Sequence, residues 1–281
     1  RLGGIVRLYG AQQTNNLANS HVAVVGIGGV GSWTAEALAR SGVGTITLID
    51  LDDVCVTNTN RQIHALSNTI GEPKVEAIAS RIALINPNCK VNCVEDFVTP
   101  DNTATLLTKE MDTVVDATDS IRAKAAMIAH CKRNKIPIVT VGGAGGQIDP
   151  TQVTKGDLAK TTQDPLAAKL RSELRRNYNF SKNPKRRFGV ECIYSTEQLR
   201  YPQPDGSVNI DGVVTIRDVN RALGWNLPDE EAVTVAGLVI HEAQMIPEPG
   251  QRFSFHGYRF DILRKSRNQI TALRVKKDEE V

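Results

Sequence analysis

The stretch His21-Val-Ala-Val-Val25, running straight into Gly26-Ile-Gly-Gly-Val-Gly31, decides the fold. Five residues rich in β-branched side chains predict a short buried strand. Gly26, Gly28 and Gly31 follow at the spacing that lets a backbone turn sharply between a strand and a helix, and Gly29 lies within the same turn. Such a turn brings unpaired helix N–H groups up to a phosphate. The next residues, Ser32 to Arg40, put Trp33, Ala37 and Leu38 at helical spacing, and Thr45-Ile-Thr-Leu-Ile49 predicts a second strand ending on Asp50. A carboxylate at that point can take the ribose hydroxyls of a nucleotide.

Working outward, Pro73 can open a helix with Val75, Ile78, Ala79 and Ile82 on one face. Strands are expected at 90–94, 113–116 and 136–141, with a helix at 122–133 between the last two. Strands alternating with helices predict an α/β fold, a Rossmann-like and mostly parallel sheet with flanking helices. Residues 151–207 read as poor in strands and rich in charge. Near residues 205–208 the pattern starts afresh, with a short helix at 216–222, a helix from Asp229 to His241, and β-like runs at 252–263 and 269–275. The expected organisation is therefore a nucleotide-binding domain over 1–206 and a small α+β domain over 207–281.

The 281-residue chain is 41% hydrophobic and 23% charged, as for a globular protein with a sizeable core, and its formal charge of +3 is only mildly basic. The five cysteines form no CxxC pair, so neither a zinc site nor a disulfide framework is expected. No apolar run is long enough to span a membrane. A cytoplasmic setting is expected.

The residues after the glycine turn depart from a dehydrogenase. Asp50-Leu-Asp52 is followed by Asn58-Thr-Asn60-Arg61-Gln62, then by Pro73-Lys74 and Asp116-Ala-Thr-Asp119. Hydride transfer has no use for these cations and acids at the nucleotide end. Adenylation does, because a carboxylate and a triphosphate have to meet, cations must neutralise the phosphates, and a carboxylate must hold Mg2+. Taken singly, Arg61 or Lys74 would read as an ordinary surface charge.

Together these motifs resemble the ubiquitin-activating-like superfamily of adenylating enzymes. Asp52-Asp-Val-Cys-Val-Thr-Asn-Thr-Asn-Arg-Gln-Ile-His-Ala65, Gly142-Gly-Ala-Gly-Gly-Gln-Ile-Asp-Pro150 and Asp164-Pro-Leu-Ala-Ala-Lys-Leu170 are similar to the tRNA threonylcarbamoyladenosine dehydratases. That resemblance covers about residues 1–206. It implies ATP-dependent activation of a threonyl carboxylate and its cyclisation on adenosine 37 of tRNA. It also implies that Asp50 and Asp52 hold the ribose, Asn58, Arg61 and Lys74 the phosphates, and Asp119 the Mg2+. Asp116 is nearer a structural position. Arg7 matches an arginine that reaches a neighbouring subunit's ATP, so a homodimer is expected.

Eight Lys/Arg and one acid, Glu173, lie between Lys169 and Arg187. Lys185-Arg186-Arg187 suits tRNA phosphates, although a charge run is more often a solvated helix face. Superfamily relatives use a cysteine to form a thioester. Cys192 reads instead as packing, and His64 and His130 as structural.

From Asp205 the sequence changes allegiance. Asp205-Gly-Ser-Val-Asn-Ile-Asp-Gly212, Ile216-Arg-Asp-Val-Asn220 and Ile246-Pro-Glu-Pro-Gly250 resemble the transporter-associated (CorC/HlyC) domain. The glycine- and alanine-rich segment that closes the dehydratase core is replaced, so the chain reads as a fusion or chimera. The tail leaves attachment to a membrane surface open. Two other readings stand: a nucleotide-binding fusion that has lost catalysis, and an adenylating enzyme serving a ubiquitin-like sulfur-carrier partner protein.

Overall fold

The computed structural model describes residues 2–199, 201–202 and 206–278. Helix α1 (Gly3–Ala18), broken at Gly10, precedes β1 (His21–Val25), α2 (Gly31–Ser41), β2 (Thr45–Ile49), α3 (Lys74–Ile85), β3 (Lys90–Val94), α4 (Thr103–Leu106) and β4 (Thr113–Asp116). Then come α5 (Ile121–Asn134), β5 (Ile138–Val141), β6 (Val153–Asp157), α6 (Pro165–Asn177) and β7 (Glu191–Ser195). The seven strands form one sheet in the order β3-β2-β1-β4-β5-β7-β6, every neighbouring pair parallel except β7 with β6. The chain steps outward from β1 through β2 to β3 and then returns to β4 on the other side of β1. Sheets of this kind bind ligands outside the carboxyl ends of the strands at that reversal.

The central strands read as continuous apolar runs because helices cover both faces: Ala23, Val24, Ile46 and Leu48 are fully buried. Helix α2 turns Ala35, Glu36 and Ala39 inward. Glu36 is a buried acid held by Arg40 at 2.7 Å and by Arg81 of α3 at 2.8 Å. Burial pushes its pKa up, but the hydrogen bonds from Arg81 and Arg40 outweigh burial and hold it below the usual carboxylate range. The pair ties α2 to α3.

Two sequence expectations need correction. Residues 151–207 are not strand-poor, since β6 and β7 extend the main sheet. Val153-Thr-Lys-Gly-Asp157 carries weak β propensity, and it is recruited as an edge by pairing with β7. The helix expected from Asp229 starts at Val235, where the Thr234 hydroxyl accepts the Gly237 N–H and caps it.

The chain divides into two compact units, Arg1–Ala144 with Asp149–Glu197, and Gly145–Ile148 with Gln198–Val281. The second contains β8 (Tyr201–Pro202), β9 (Val208–Asp211), α7 (Ile216–Leu223), α8 (Val235–Ala243), β10 (Arg252–Phe255), β11 (Tyr258–Ser266) and β12 (Gln269–Lys277). Its antiparallel sheet runs β10-β11-β12-β9-β8 and buries Phe260, Ile270, Leu273 and Val275 with Ile216, Val235 and Leu238 from the helices. No helix among the described residues is long and apolar enough to cross a membrane.

The crossover from β2 to α3, residues 50–73, is irregular and contains His64, which is fully buried with neither ring nitrogen hydrogen-bonded. Burial lowers its pKa, helped by the charges of Lys74 and Arg81, to about 4. An unfolded histidine titrates near 6.5. Above that pH both states are neutral and His64 has no effect on the balance. As pH falls from about 6.5 to 4 the unfolded chain takes up a proton that the folded chain refuses, so stability should fall by roughly 1 kcal/mol per pH unit. Denaturant titrations at pH 7, 6 and 5 should show this slope, and His64→Gln should flatten it.

Candidate active site

The site begins with a steric requirement. Gly26 has φ +85°, and a Cβ there would lie 3.0 Å from the backbone of Ala117 and Thr118. A Cβ on Gly31 would stand 1.7 Å from the Gly26 carbonyl oxygen. Only glycine permits this close turn. The turn is held from the side by Asp50, a buried residue whose Oδ2 accepts the Ile27 N–H at 2.6 Å and whose Oδ1 accepts the Asp52 N–H at 2.9 Å. These carboxylate bonds join the glycine turn to the end of β2.

The crossover folds back onto that turn. Asn58 is buried, and its Oδ1 accepts the Cys55 N–H at 3.1 Å, closing a helical turn at 56–58. Arg61 follows, its Nη1 donating to Thr57 O at 3.1 Å and Asn60 Oδ1 at 3.0 Å. The Arg61 stem passes over the glycine turn, with Cγ 3.4 Å from where a Gly29 Cβ would be. Gln62 reaches toward Gly28, its Nε2 at 3.9 Å from the corresponding point. The Trp33 indole N–H donates to the Arg61 carbonyl at 3.0 Å. Lys74, buried at the start of α3, places Nζ 2.7 Å from Asp52 Oδ2 and 4.0 Å from Asp50 Oδ1.

Asp116 ends β4 and is fully buried. Its Oδ2 meets Lys124 Nζ at 3.0 Å and accepts the Thr140 hydroxyl at 2.6 Å, while Oδ1 accepts the Thr118 N–H and hydroxyl. Asp119, just beyond, is exposed. The structure thus separates the two acids: Asp116 holds the turn in place, and Asp119 is exposed just past Ala117 and Thr118, whose backbone lies against Gly26. Among the described residues no group of three or more His, Cys, Asp or Glu is arranged to hold a metal ion by itself.

Two buried polar atoms at this turn lack a partner: Ser32 Oγ, at the N-terminus of α2, and Gln62 Oε1. A buried donor or acceptor left unmet costs about 1–3 kcal/mol. A helix N-terminus with an idle hydroxyl, a glycine cradle, and Arg61 and Lys74 alongside is the donor set that a polyphosphate needs.

The glycines, Asp50, Asp52, Asn58, Arg61 and Lys74 therefore form one cluster. Arg7 is exposed on α1, and Lys185, Arg186 and Arg187 are exposed on the loop between α6 and β7, not on a helix face. Cys192 is fully buried in β7, and burial pushes its thiol up to about 12, which keeps it protonated and supports its reading as packing. His130 bonds the Leu107 carbonyl at 2.8 Å. Asp164 caps α6 through the Ala167 N–H and also accepts the Gly143 N–H at 2.9 Å. The sequence reading missed Lys124, whose Nζ also donates to Val141 O at 2.8 Å. A lone lysine inside the apolar run Ala123-Lys-Ala-Ala-Met-Ile-Ala129 was the available signal.

Known proteins match this arrangement closely. The ThiF family model matches residues 4–207, and the Transporter associated domain model matches residues 202–279. The tRNA threonylcarbamoyladenosine dehydratase of Escherichia coli K12 is 62% identical over 208 residues, 74% of this chain and 78% of that protein. The dehydratase of Haemophilus influenzae is 56% identical over 225 residues, 80% of this chain and 84% of that protein. A crystal structure of the E. coli enzyme in complex with ATP aligns with a TM-score of 0.71 at 61% identity, covering 72% of this chain and 83% of that one. With its glycine turn, its Asn58-to-Gln62 crossover and this degree of identity, the chain belongs to the ThiF family and groups within it with the tRNA threonylcarbamoyladenosine dehydratases.

Proposed function

We propose that the chain is an ATP-dependent tRNA threonylcarbamoyladenosine dehydratase that activates the threonyl carboxylate and cyclises it on adenosine 37. The observation that carries this is the unmet Ser32 hydroxyl at the α2 N-terminus, set in a glycine cradle beside Arg61 and Lys74. That ATP is the ligand is supported by the ATP complex of the E. coli relative.

In this reading Gly26, Gly28, Gly29 and Gly31 let the backbone approach the phosphates, and Asp50 and Asp52 take the ribose hydroxyls. Asp50 is already fixed by the Ile27 N–H, so its position is set before ATP arrives. Asn58, Arg61 and Lys74 bind the phosphates. For Lys74 this means exchanging Asp52 for a phosphate oxygen. The substrate carboxylate attacks the α-phosphorus and pyrophosphate leaves, giving an acyl-adenylate. Ring closure onto the acyl carbon then releases AMP, with net loss of water from the nucleoside. Arg61 and Lys74 stabilise the charge that shifts onto the phosphate oxygens, a role for fixed cations in a partly dry site. A magnesium ion, which needs few protein carboxylates when phosphates supply the rest, would be held by Asp119 and would neutralise phosphate charge. Exposed Lys185, Arg186 and Arg187 bind tRNA phosphates, and Arg7 reaches the site of a second subunit in a homodimer.

A second reading has its own support. The E. coli relative matches 208 residues of this chain, and the Transporter associated domain model takes over from residue 202. We infer that the chain is a fusion in which residues 207–281 replace the segment that closes the dehydratase core, so catalysis can be lost while nucleotide binding persists. Calorimetry should then resolve two unfolding transitions, the adenylating module melting first, and limited proteolysis should release a compact C-terminal fragment. A single cooperative transition would mean that the tail completes the first module's core.

Arg61→Ala and Asp119→Ala should each lower the single-turnover rate of AMP formation on modified tRNA by about 100-fold or more. Near-normal rates would remove both residues from the chemistry. Replacing Lys185, Arg186 and Arg187 together by alanine should reduce the slope of log K against log salt for tRNA binding by up to about 2–3. An unchanged slope would leave them as plain surface.

A further inference from the structure

Trp33 is the second residue after Gly31 and the first large side chain past the glycine turn, and it is 55% exposed. Exposing an indole to that extent gains little for the core, because most of its apolar area stays in water. Its N–H nevertheless has a specific partner, the Arg61 carbonyl oxygen at 3.0 Å. Arg61 sits midway along the irregular 50–73 crossover, whose two ends are tied by the Val54 N–H to Glu72 O at 2.9 Å and the Gly71 N–H to Val54 O at 2.9 Å. Those bonds close the base of the crossover and leave its tip to be located by other means. Within the tip, the Asn58 carbonyl accepts from the Arg61 and Gln62 N–H groups, and the guanidinium donates to Thr57 and Asn60. All of these bonds lie inside the crossover. They give the tip its internal shape, while Ile63 packs against the core of β1, β2, α2 and α3 and Ala65 against Val54 and Ala77.

The indole bond adds a polar tie at Arg61 itself, where the side chain leaves that packed segment. It joins Arg61 to α2, the helix whose first turn is set by the glycines, and the Arg61 stem lies against Gly29 from the same side. From this geometry we propose that Trp33 is a positioning residue: its indole N–H, through the Arg61 carbonyl, holds the Arg61 guanidinium over the glycine turn where the phosphates of ATP are bound. The inference rests on the phosphate role given to Arg61 above. It assigns Trp33 no contact with ATP or tRNA.

The test is a double-mutant cycle on the full 281-residue chain, read by calorimetric titration with ATP. Trp33→Phe keeps an aromatic ring and removes the N–H; because the residue is more than half exposed, its thermal midpoint should match the parent's. ATP should bind about three- to tenfold more weakly, the scale of one lost hydrogen bond. Arg61→Ala should weaken ATP further, and the double variant should bind no more weakly than Arg61→Ala alone. A second readout needs no variant at Trp33. The chain has two tryptophans, Trp33 and Trp225, so Trp225→Phe leaves a single indole N–H resonance. ATP should shift that resonance, and Arg61→Ala should abolish the shift. Unchanged binding by Trp33→Phe, or losses that add in the double variant, would overturn the proposal. So would an ATP-induced shift that survives Arg61→Ala. Parent-like ATP binding by Arg61→Ala would instead strike down the phosphate role of Arg61, a failure of the underlying reading that the single variant identifies by itself.

Discussion

One hydrogen bond organises the nucleotide end of this protein, the 2.6 Å contact in which Asp50 accepts the Ile27 N–H. Glycines give the turn after β1 its freedom, and freedom alone would leave it mobile. A buried carboxylate at the end of the neighbouring strand restricts it. The same carboxylate accepts the Asp52 N–H, so it also sets the direction in which the chain leaves β2 toward Asn58, Arg61 and Lys74. Charge-assisted bonds to backbone N–H groups are about twice as strong as neutral ones, which suits a joint on which two segments depend.

A second joint lies one strand further along. Lys124, fully buried, spans Asp116 on β4 and the Thr140 hydroxyl and Val141 carbonyl on β5. Removing one partner of such a pair strands a buried charge, commonly at about 3–5 kcal/mol. The Asp116 carboxylate in turn fixes Thr118, whose N–H lies against Gly26. The turn that carries Asp119 is thereby braced from both the glycine loop and β5, and an exposed acid gains a defined place without being buried itself.

Much of this was legible beforehand because it is local. Three β-branched residues among five, a glycine spacing and an acid at the next strand end are contiguous signals, and Asn58, Arg61 and Lys74 were added to Asp50 by the family resemblance. What escaped was set by distant partners. The strand at 153–157 exists through its pairing with 191–195, and Val-Thr-Lys-Gly-Asp says little of that by itself. Lys124 looked like one more helical lysine until Asp116 and Thr140, eight and sixteen residues on either side, enclosed it. Trp33 was legible as helix spacing only, since its partner is 28 residues away on an irregular segment. Cys192 was read correctly from chemistry, because a substrate that carries its own nucleophile needs no thiolate.

The 2.7 Å pair between Lys74 and Asp52 changes how the site meets small anions. A bare lysine near a helix N-terminus would attract any of the chloride, inorganic phosphate or free carboxylates around it. Here each must compete with a carboxylate already in place, and one or two charges offer little over what Asp52 supplies. In the proposed reading a triphosphate joined to a ribose offers more, because it would reach Lys74, Arg61 and the helix end together. On that reading the internal acid would work as a built-in competitor that raises the threshold for occupancy, and discrimination would come from what the weaker anions cannot displace.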